Sequence, residues 1–159
     1  MSTGIGYDCH RLVAGRRLVL GGIELEHELG LAGHSDADVL THAIIDALLG
    51  ACALGDIGEH FPDTDPRFRD ADSIELLRAT VEMVGEAGYA VRHVDATVIL
   101  ERPKLAPVRE AMRARLAETL ELPVTRVSVK ATRGEGMGFV GREEGVAALA
   151  VATVEETAV

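Results

Sequence analysis

The sequence predicts an α+β protein of two layers, in which helices cover one face of a mixed β-sheet. Apolar segments at 91–101, where the alternation is clearest, at 127–132 and at 146–154 predict strands. Capped segments with helical apolar spacing at 35–53, 72–87 and 107–121 predict helices. The elements run as a strand and a hairpin, two helices, a strand, a helix and two strands. This order favours helices packed on one face of a sheet.

The composition predicts a single domain, 1–159, long enough to bury roughly 70% of its unfolded surface. With 16 basic and 26 acidic residues the net charge is −10, which argues against binding to nucleic acid or to acidic membranes. The two cysteines form no CxxC pair, which favours a reducing compartment. No signal-like segment or membrane-length apolar run occurs. We therefore expect a cytoplasmic protein.

The first strand is predicted over residues 3–10. Its period of two places Asp8 and His10 on one face and Cys9 on the other, where we expect Cys9 to be packed. Two β-rich runs around Gly21 and Gly22 predict a hairpin. The chain from there to residue 33 is expected to be irregular.

The helix that follows is apolar on almost every side. Ser35 and Asp38 match a capping box that would begin a helix extending to about Ala53. The exceptions on this helix are Asp38, His42 and Asp46, which are spaced four apart and form one polar stripe. Buried carboxylates and imidazoles need a partner or a metal.

The remaining elements are separated by clear turn signals. Residues 54–71 lack a period but contain Ile57 and Phe61, so we expect a packed functional loop rather than ordinary turns. Asp72 and Ser73 cap the second helix, and Gly88 ends it. Residue 107, a proline, lies in the first turn of the third helix.

Asp8, His10 and His42 form a candidate metal site. Three protein ligands with a free fourth position are typical of catalytic zinc. The alternative is that the D-x-H pattern is fortuitous and that the histidines are ordinary hydrogen-bonded residues. Asp38 and Asp46, one helical turn on either side of His42, are candidates to orient its imidazole by accepting a hydrogen bond.

Residues 133–145 form a glycine-rich loop in which backbone N–H groups could approach phosphate oxygens. The signal is weak alone. A Walker sequence and a strand-GxGxxG-helix arrangement are both absent from the sequence, which argues against a nucleotide-binding fold of those kinds.

Five segments, in this order and spacing, resemble the 2-C-methyl-D-erythritol 2,4-cyclodiphosphate synthases of the non-mevalonate isoprenoid pathway. They are GIGYDCHR, GHSDADVLTHAIIDALLGACALGDIGEHFPDTDP, ERPKLAP, VKAT and GFVGREEG, and the likeness extends over residues 4–154. The resemblance implies a homotrimer with active sites between subunits. It also implies that 4-diphosphocytidyl-2-C-methyl-D-erythritol 2-phosphate is cyclised with release of CMP. The small alanines of 146–154 would suit close packing at a symmetry axis.

The resemblance also assigns site residues by position. Asp8, His10 and His42 would bind Zn²⁺, and Glu135 would bind Mg²⁺ or Mn²⁺ at the diphosphate, so that Asp8, His10 and Glu135 also face the substrate. The methylerythritol phosphate would contact His34, Ser35, Asp56, Ile57, Gly58, Phe61, Pro62, Asp63, Thr64 and Asp65. The cytidine would lie against Leu100, Pro103, Lys104, Leu105, Ala106, Ala131 and Thr132. Phe139 and Arg142 would lie near the substrate phosphate and the trimer axis, and catalysis would involve His34, Thr132 and Arg133.

The chain departs from the family pattern at two adjacent positions. Arg133 and Gly134 stand where threonines are usual, and Glu143 is an additional acid. We expect Arg133 to replace the threonine as a buried phosphate donor; the alternative is that its side chain points to solvent and leaves a gap. Two alternatives remain open, namely a metal-dependent phosphoesterase and a non-catalytic trimeric binding protein.

Overall fold

The computed structural model describes residues 1–157, in which four strands come first, three helices follow, and strands and helices alternate thereafter. The strands are β1 (Ser2–Ala14), β2 (Leu18–Leu20), β3 (Ile23–Leu25), β4 (Leu29–Leu31), β5 (Tyr89–Ile99), β6 (Val127–Thr132) and β7 (Gly145–Glu156). The helices are α1 (Val39–Ala51), α2 (Ile57–His60), α3 (Ser73–Glu86), α4 (Arg109–Thr119) and α5 (Gly138–Gly141), with 3₁₀ turns at Pro66–Phe68 and Val124–Arg126.

The main sheet has the strand order β4-β1-β7-β5-β6 in the described part of the chain. The β5–β6 pair is parallel and the other pairs are antiparallel, so the predicted mixed sheet is confirmed. Helix α1 packs on β1 and β7, α3 on β5, and α4 on β6. On the opposite face, which we call the bare face, Ile5, Tyr7, Leu149 and Val151 are exposed. The two-layer arrangement is therefore as predicted.

Helix α1 lies unusually close to β1 because glycines face it. A Cβ at Gly6 would overlap the carbonyl oxygen of Ala43, and one at Gly4 would overlap that of Ala47. Their neighbours on β7 in the same register are alanines, and these are fully buried. The small residues of β7 are thus used to pack α1 within one chain. Packing at a symmetry axis, which the sequence suggested for this strand, remains a prediction and would involve its other face.

The start of α1 also differs from the prediction. Asp38 rather than Ser35 is the N-cap, and its carboxylate accepts a hydrogen bond from the Thr41 N–H. The reason is the backbone of Ala37, whose φ of 57° lies in the left-handed region and excludes it from the helix. Ser35 instead accepts a hydrogen bond from the Ala37 N–H.

Two other local predictions, for residues 29–31 and for Cys9, needed correction, whereas that for loop 54–71 was confirmed. Leu29–Leu31 forms a short strand that pairs with the end of β1, where irregular chain was expected. Loop 54–71 contains one helical turn and one 3₁₀ turn, and its Ile57 and Phe61 pack against the core as expected. Cys9 is exposed on the bare face, because the described chain has no layer over it. Among residues 1–157 no helix is both long enough and apolar enough to cross a membrane.

Candidate active site

Strand β1 and helix α1 bring the predicted metal ligands together. Asp8 and His10 share the face of β1 that packs on α1, and His42 lies in the first turn of that helix. Oδ2 of Asp8 is 2.8 Å from Nε2 of His10 and 3.1 Å from Nδ1 of His42, and the two nitrogens are 3.2 Å apart. One ligand atom from each residue lies within 4.8 Å of the others. The three residues thus form a group able to hold a metal ion.

The outward nitrogens of the two histidines have hydrogen-bonding partners of their own. Nδ1 of His10 lies 2.9 Å from the backbone carbonyl of Ala32, which can only accept a hydrogen bond, so Nδ1 carries the proton and Nε2 is free. Nε2 of His42 lies 2.8 Å from the hydroxyl of Ser73 and 3.3 Å from that of Ser35. Bonding of the second ring nitrogen in this way is typical of metal-binding histidines. The donor set therefore fits a metal ion.

The electrostatics of the metal-free site favour an ionised carboxylate. Burial opposes ionisation of Asp8, but hydrogen bonds from His10 and His42 in their protonated, doubly N–H forms, together with their charge, outweigh burial and lower its pKa to about 2. Burial lowers the pKa of His10, and the hydrogen bond and charge of Asp8 reverse this, so that its pKa is raised. The site thus holds negative charge against which a cation can bind.

Asp38 does not orient the His42 ring. Its fully buried carboxylate accepts hydrogen bonds from the N–H groups of Gly21 and Gly22 at 2.9 and 2.8 Å and from the N–H and hydroxyl of Thr41. Burial raises its pKa despite these bonds. Asp38 therefore joins the β2–β3 hairpin to the N-terminus of α1, and the orienting role predicted for it was wrong.

Asp46 also hydrogen bonds to a neighbouring element rather than to the His42 imidazole. Its carboxylate accepts a hydrogen bond of 2.8 Å from the Ile57 N–H, and burial raises its pKa. The bond fixes the start of α2, in the loop that the sequence predicted to be functional. The hydrogen bond predicted from His42 to Asp46 is replaced by that to Ser73.

A cavity of about 390 Å³ opens beside the metal ligands. His34 closes one side of it, since its Nε2 lies 3.0 Å from the carbonyl of Asp65. The cavity is lined by Asp8, His10, Gly33, His34, Ser35, His42, Ile57, Gly58, Phe61, Pro62, Asp63, Phe68 and Leu76. Most residues expected at the methylerythritol phosphate are thus brought together, while Asp56, Thr64 and Asp65 lie in the same loop without lining the cavity. Gly33, Phe68 and Leu76 were missed.

A second cavity, of about 190 Å³, lies between the end of β5 and the end of β6. It is lined by Leu100, Glu101, Pro103, Lys104, Leu105, Ala106, Arg109, Ala131, Thr132 and Arg133. Every residue expected at the cytidine is present. Arg109 was missed, and Glu101 belongs to the quoted ERPKLAP segment. Among the described residues, the two cavities share no lining side chain.

The sequence suggested that Arg133 is buried, but its side chain is exposed. Its guanidinium Nη2 bonds to Oε2 of Glu101 at 3.0 Å, and 63% of its side chain is exposed, against 6% for Glu101. Burial opposes ionisation of Glu101, but the hydrogen bond and charge of Arg133, together with the backbone N–H groups of Gly134 and Gly136, outweigh it and lower the pKa of the carboxyl. The expected buried phosphate donor is therefore an exposed residue at the rim of the second cavity, held by an enclosed carboxylate.

Gly134 has a steric explanation in the same loop. A Cβ at this position would lie 2.6 Å from the Gly141 N and 3.0 Å from Oε1 of Glu101. A threonine would not fit this backbone without displacing α5. The glycine is thus linked to the enclosed Glu101 beside it.

The three remaining predicted residues lie outside both cavities of the described chain. Glu135 is exposed, with a φ of 53°. Phe139 lines a smaller recess beside Cys9 and His10, and Arg142 pairs with Glu144 at 3.0 Å. The extra acid at 143 pairs with Arg102 at 2.6 Å.

Comparison with known proteins agrees with this geometry. The YgbB family profile matches residues 1–155. The chain is 63% identical over 155 residues to the 2-C-methyl-D-erythritol 2,4-cyclodiphosphate synthase of Salinibacter ruber, covering 98% of this chain and 99% of the relative. It is 58% identical over 155 residues to the synthase of Geobacter metallireducens, with the same coverage.

Solved structures show the same fold. A 2-C-methyl-D-erythritol-2,4-cyclodiphosphate synthase with bound CDP superposes with a TM-score of 0.89 at 38% identity, covering 96% of this chain and 99% of that one. The bifunctional IspDF of Campylobacter jejuni gives 0.94 at 43% identity, covering 98% of this chain and 42% of the larger protein. The profile match, the full-length identities and the shared fold lead to one conclusion: this chain belongs to the YgbB family of 2-C-methyl-D-erythritol 2,4-cyclodiphosphate synthases.

Proposed function

We propose that this protein converts 4-diphosphocytidyl-2-C-methyl-D-erythritol 2-phosphate to 2-C-methyl-D-erythritol 2,4-cyclodiphosphate and CMP. The observation that carries the proposal is the Asp8, His10 and His42 cluster, whose ligand atoms face the 390 Å³ cavity. An oxygen of the 2-phosphate forms a bond to the β-phosphorus. The bond from the β-phosphorus to the bridging oxygen breaks, and CMP leaves with that oxygen. The ring closes within one substrate molecule, so the enzyme needs no nucleophile of its own.

Zinc is the ion we assign to the Asp8, His10 and His42 cluster, from the donor set and its free fourth position. When bound, it supplies Lewis acidity to a phosphate oxygen and a fixed position for that oxygen. The chain's own residues position the rest of the methylerythritol phosphate. His34 and Ser35 border the cavity next to the cluster, and five of residues 57–63 line it, so that these groups can hold the reacting atoms close together.

Glu135 is the residue we assign to a Mg²⁺ or Mn²⁺ ion at the diphosphate. Its carboxylate is exposed on the loop that follows the 190 Å³ cavity. Among the described residues it belongs to no group of three metal ligands. Substrate phosphate oxygens would therefore supply most of the ligands, as is usual for Mg²⁺.

The cytidine is assigned to the 190 Å³ cavity. Leu100, Leu105 and Ala106 give it apolar walls, and Lys104, Arg109 and Arg133 supply positive charge at its edge. This charge matters in a protein with a net charge of −10, because the ligand is itself an anion. Thr132 and Arg133 stand at the end of β6, where a hydroxyl and a guanidinium can donate to a phosphate.

A homotrimer with active sites between subunits completes the proposal. The two cavities share no lining residue in the described chain, although one substrate must occupy both. The bare face of the sheet carries four exposed large apolar residues, which favours its burial against other copies. A cavity of one copy could then face the other cavity of its neighbour.

The test is an assay of CMP release from the cytidylated substrate by metal-depleted protein, with and without added zinc and magnesium. We expect release only with metal, and none from His42→Ala, which should remain folded but lose zinc. Release of inorganic phosphate from simple esters would instead indicate a phosphoesterase. Metal binding without turnover would indicate a non-catalytic binding protein, and zinc retained by His42→Ala would show that the site is assigned incorrectly.

A further inference from the structure

A chain of three hydrogen-bonded side chains, buried at His42 and Ser73 and half-buried at Asp36, leads away from the proposed metal site. Ser73, the first residue of α3, is fully buried, with its hydroxyl 2.8 Å from Nε2 of His42. The same hydroxyl hydrogen bonds to Oδ1 of Asp36. Asp36 is held in turn, since Oδ2 accepts from the Ser73 N–H at 2.9 Å and Oδ1 from the Asp38 N–H at 3.1 Å. The imidazole is thus linked through one hydroxyl to a fixed carboxylate.

The direction of the hydrogen bonds in this chain follows from the groups involved. An ionised carboxylate can only accept, so the single hydroxyl proton of Ser73 goes to Asp36. The hydroxyl oxygen must then accept from His42, and Nε2 of His42 must carry a proton. Neutral imidazole has only one N–H, so Nδ1 is left with a free lone pair. Nδ1 is the nitrogen that faces Asp8 and His10.

We propose that Ser73 and Asp36 are positioning residues that fix His42 in the tautomer whose Nδ1 can bind the metal. The inference rests on the metal site of the proposed function, but assigns to it two residues that the family likeness did not supply. The tautomer of His10 does not depend on other side chains, because the backbone carbonyl of Ala32 fixes it. His42 depends on side chains for the same choice.

Ser35 carries the other hydroxyl near the His42 ring, but this hydroxyl is less suited to fix the tautomer. Its Oγ is 3.3 Å from Nε2, against 2.8 Å for Ser73, and it already accepts a hydrogen bond from the Ala37 N–H. A serine without a carboxylate behind it could equally donate to Nε2, which would place the proton on Nδ1 and block the metal. Asp36 is therefore what gives the chain its direction.

The first experiment determines the position of the His42 proton directly. Long-range ¹H–¹⁵N correlation spectra of the zinc-loaded protein report which ring nitrogen of His42 carries hydrogen, with His42→Asn used to assign the signals. We expect Nε2–H. A dominant Nδ1–H form would overturn the proposal, whether or not the protein releases CMP.

The second experiment measures zinc affinity by competition with a chelator at fixed pH. We expect Ser73→Ala to weaken zinc binding by about 10- to 100-fold, as for other residues that orient a metal ligand, and Ser73→Thr to recover part of the loss. The matched control is Thr80→Val, which also removes a fully buried hydroxyl from α3, one that bonds only to the Leu76 carbonyl. Unchanged zinc affinity in Ser73→Ala, or an equal loss in Thr80→Val, would contradict the proposal. If Ser73→Ala does not fold, Ser73→Thr and the wild-type spectrum decide the question.

Discussion

At the scale of single residues, Arg133 shows how a neighbour decides what a charged side chain can do. A guanidinium one residue from the end of β6 could point to the diphosphate or to solvent. Glu101, enclosed and lacking a hydrogen-bond partner for Oε1 among residues 1–157, holds it at the rim of the second cavity. One N–H of the guanidinium is used in this way, and the others remain available to an anion.

This placement gives a modest expected effect for Arg133→Ala. The guanidinium is mostly exposed and therefore screened, so we expect kcat/KM for CMP release to fall by roughly 5-fold, mainly through KM. Arg133→Thr should recover part of the loss if a neutral donor suffices. Arg78→Ala, which removes an exposed arginine paired with Glu75 on α3, is the control and should leave kinetics unchanged. Kinetics of Arg133→Ala identical to wild type would show that the side chain does not meet the substrate.

The titration of His10 gives a second residue-scale prediction. Its raised pKa means that protonated His10 stabilises the metal-free protein below the ordinary value of 6.5, and that this contribution is lost as pH rises through the folded-state pKa. Protons and zinc compete for the same nitrogen. The increase in Tm caused by zinc should therefore be larger at pH 8 than at pH 6. An equal increase at both pH values, or any increase in His42→Ala, would count against this site.

At the scale of elements, Asp38 is the joint between the β2–β3 hairpin and α1. Asp38→Ala would leave the N–H groups of Gly21, Gly22 and Thr41 without their acceptor in a buried region. We expect a loss of about 3 kcal/mol in the free energy of unfolding, measured by urea denaturation.

Asp72→Ala is the matched control for Asp38→Ala. Asp72 is also an N-cap, but it is exposed and accepts a bond from the Ile74 N–H within its own helix. Its loss should cost about 1 kcal/mol. Equal losses in the two variants would show that the bonds to the hairpin contribute little.

The elements also show which information is local in the sequence. The sequence predicted β5 from its apolar alternation and α3 from its capping residues, because each of these patterns involves residues only a few positions apart. The pairing of β4 with β1 could not be predicted, since three residues that include a glycine are too few to show a hydrophobic alternation. Ser73 was read only as part of a cap, because the sequence does not reveal that its hydroxyl lies against an imidazole 31 positions earlier. The candidate metal ligands could be grouped from the sequence because the period of β1 and the isolation of His42 in an apolar helix are both local patterns.

At the scale of the whole molecule, the bare face leads to a prediction about assembly. Val151 lies at its centre on β7, and 42% of it is exposed in one chain. Val151→Glu should convert the proposed trimer to smaller species in light scattering and should lower CMP release in parallel, since each substrate would lose one of its two cavities.

Val124→Glu is the control for assembly. Val124 is 41% exposed but belongs to the 3₁₀ turn before β6, so the same charge is added at matched exposure away from the centre of the bare face. This variant should remain trimeric. A wild-type monomer at micromolar concentration, or a stable trimer of Val151→Glu, would exclude the intersubunit arrangement.

Gly4 and Gly6 set the distance between β1 and α1, the two elements that carry the proposed metal ligands, although neither glycine would touch the ion. Two of the proposed metal ligands, Asp8 and His10, are on β1 and the third, His42, is on α1. The distance between the strand and the helix therefore determines the distances between the ligand atoms. Metal–ligand distances tolerate deviations of only about 0.2 Å, and one methyl group at Gly6 would displace α1. We expect Gly6→Ala to weaken zinc binding in competition titrations even when the variant is folded, and an unchanged affinity would refute this. Two positions that carry no side chain would then help to determine the size of ion that the proposed site prefers.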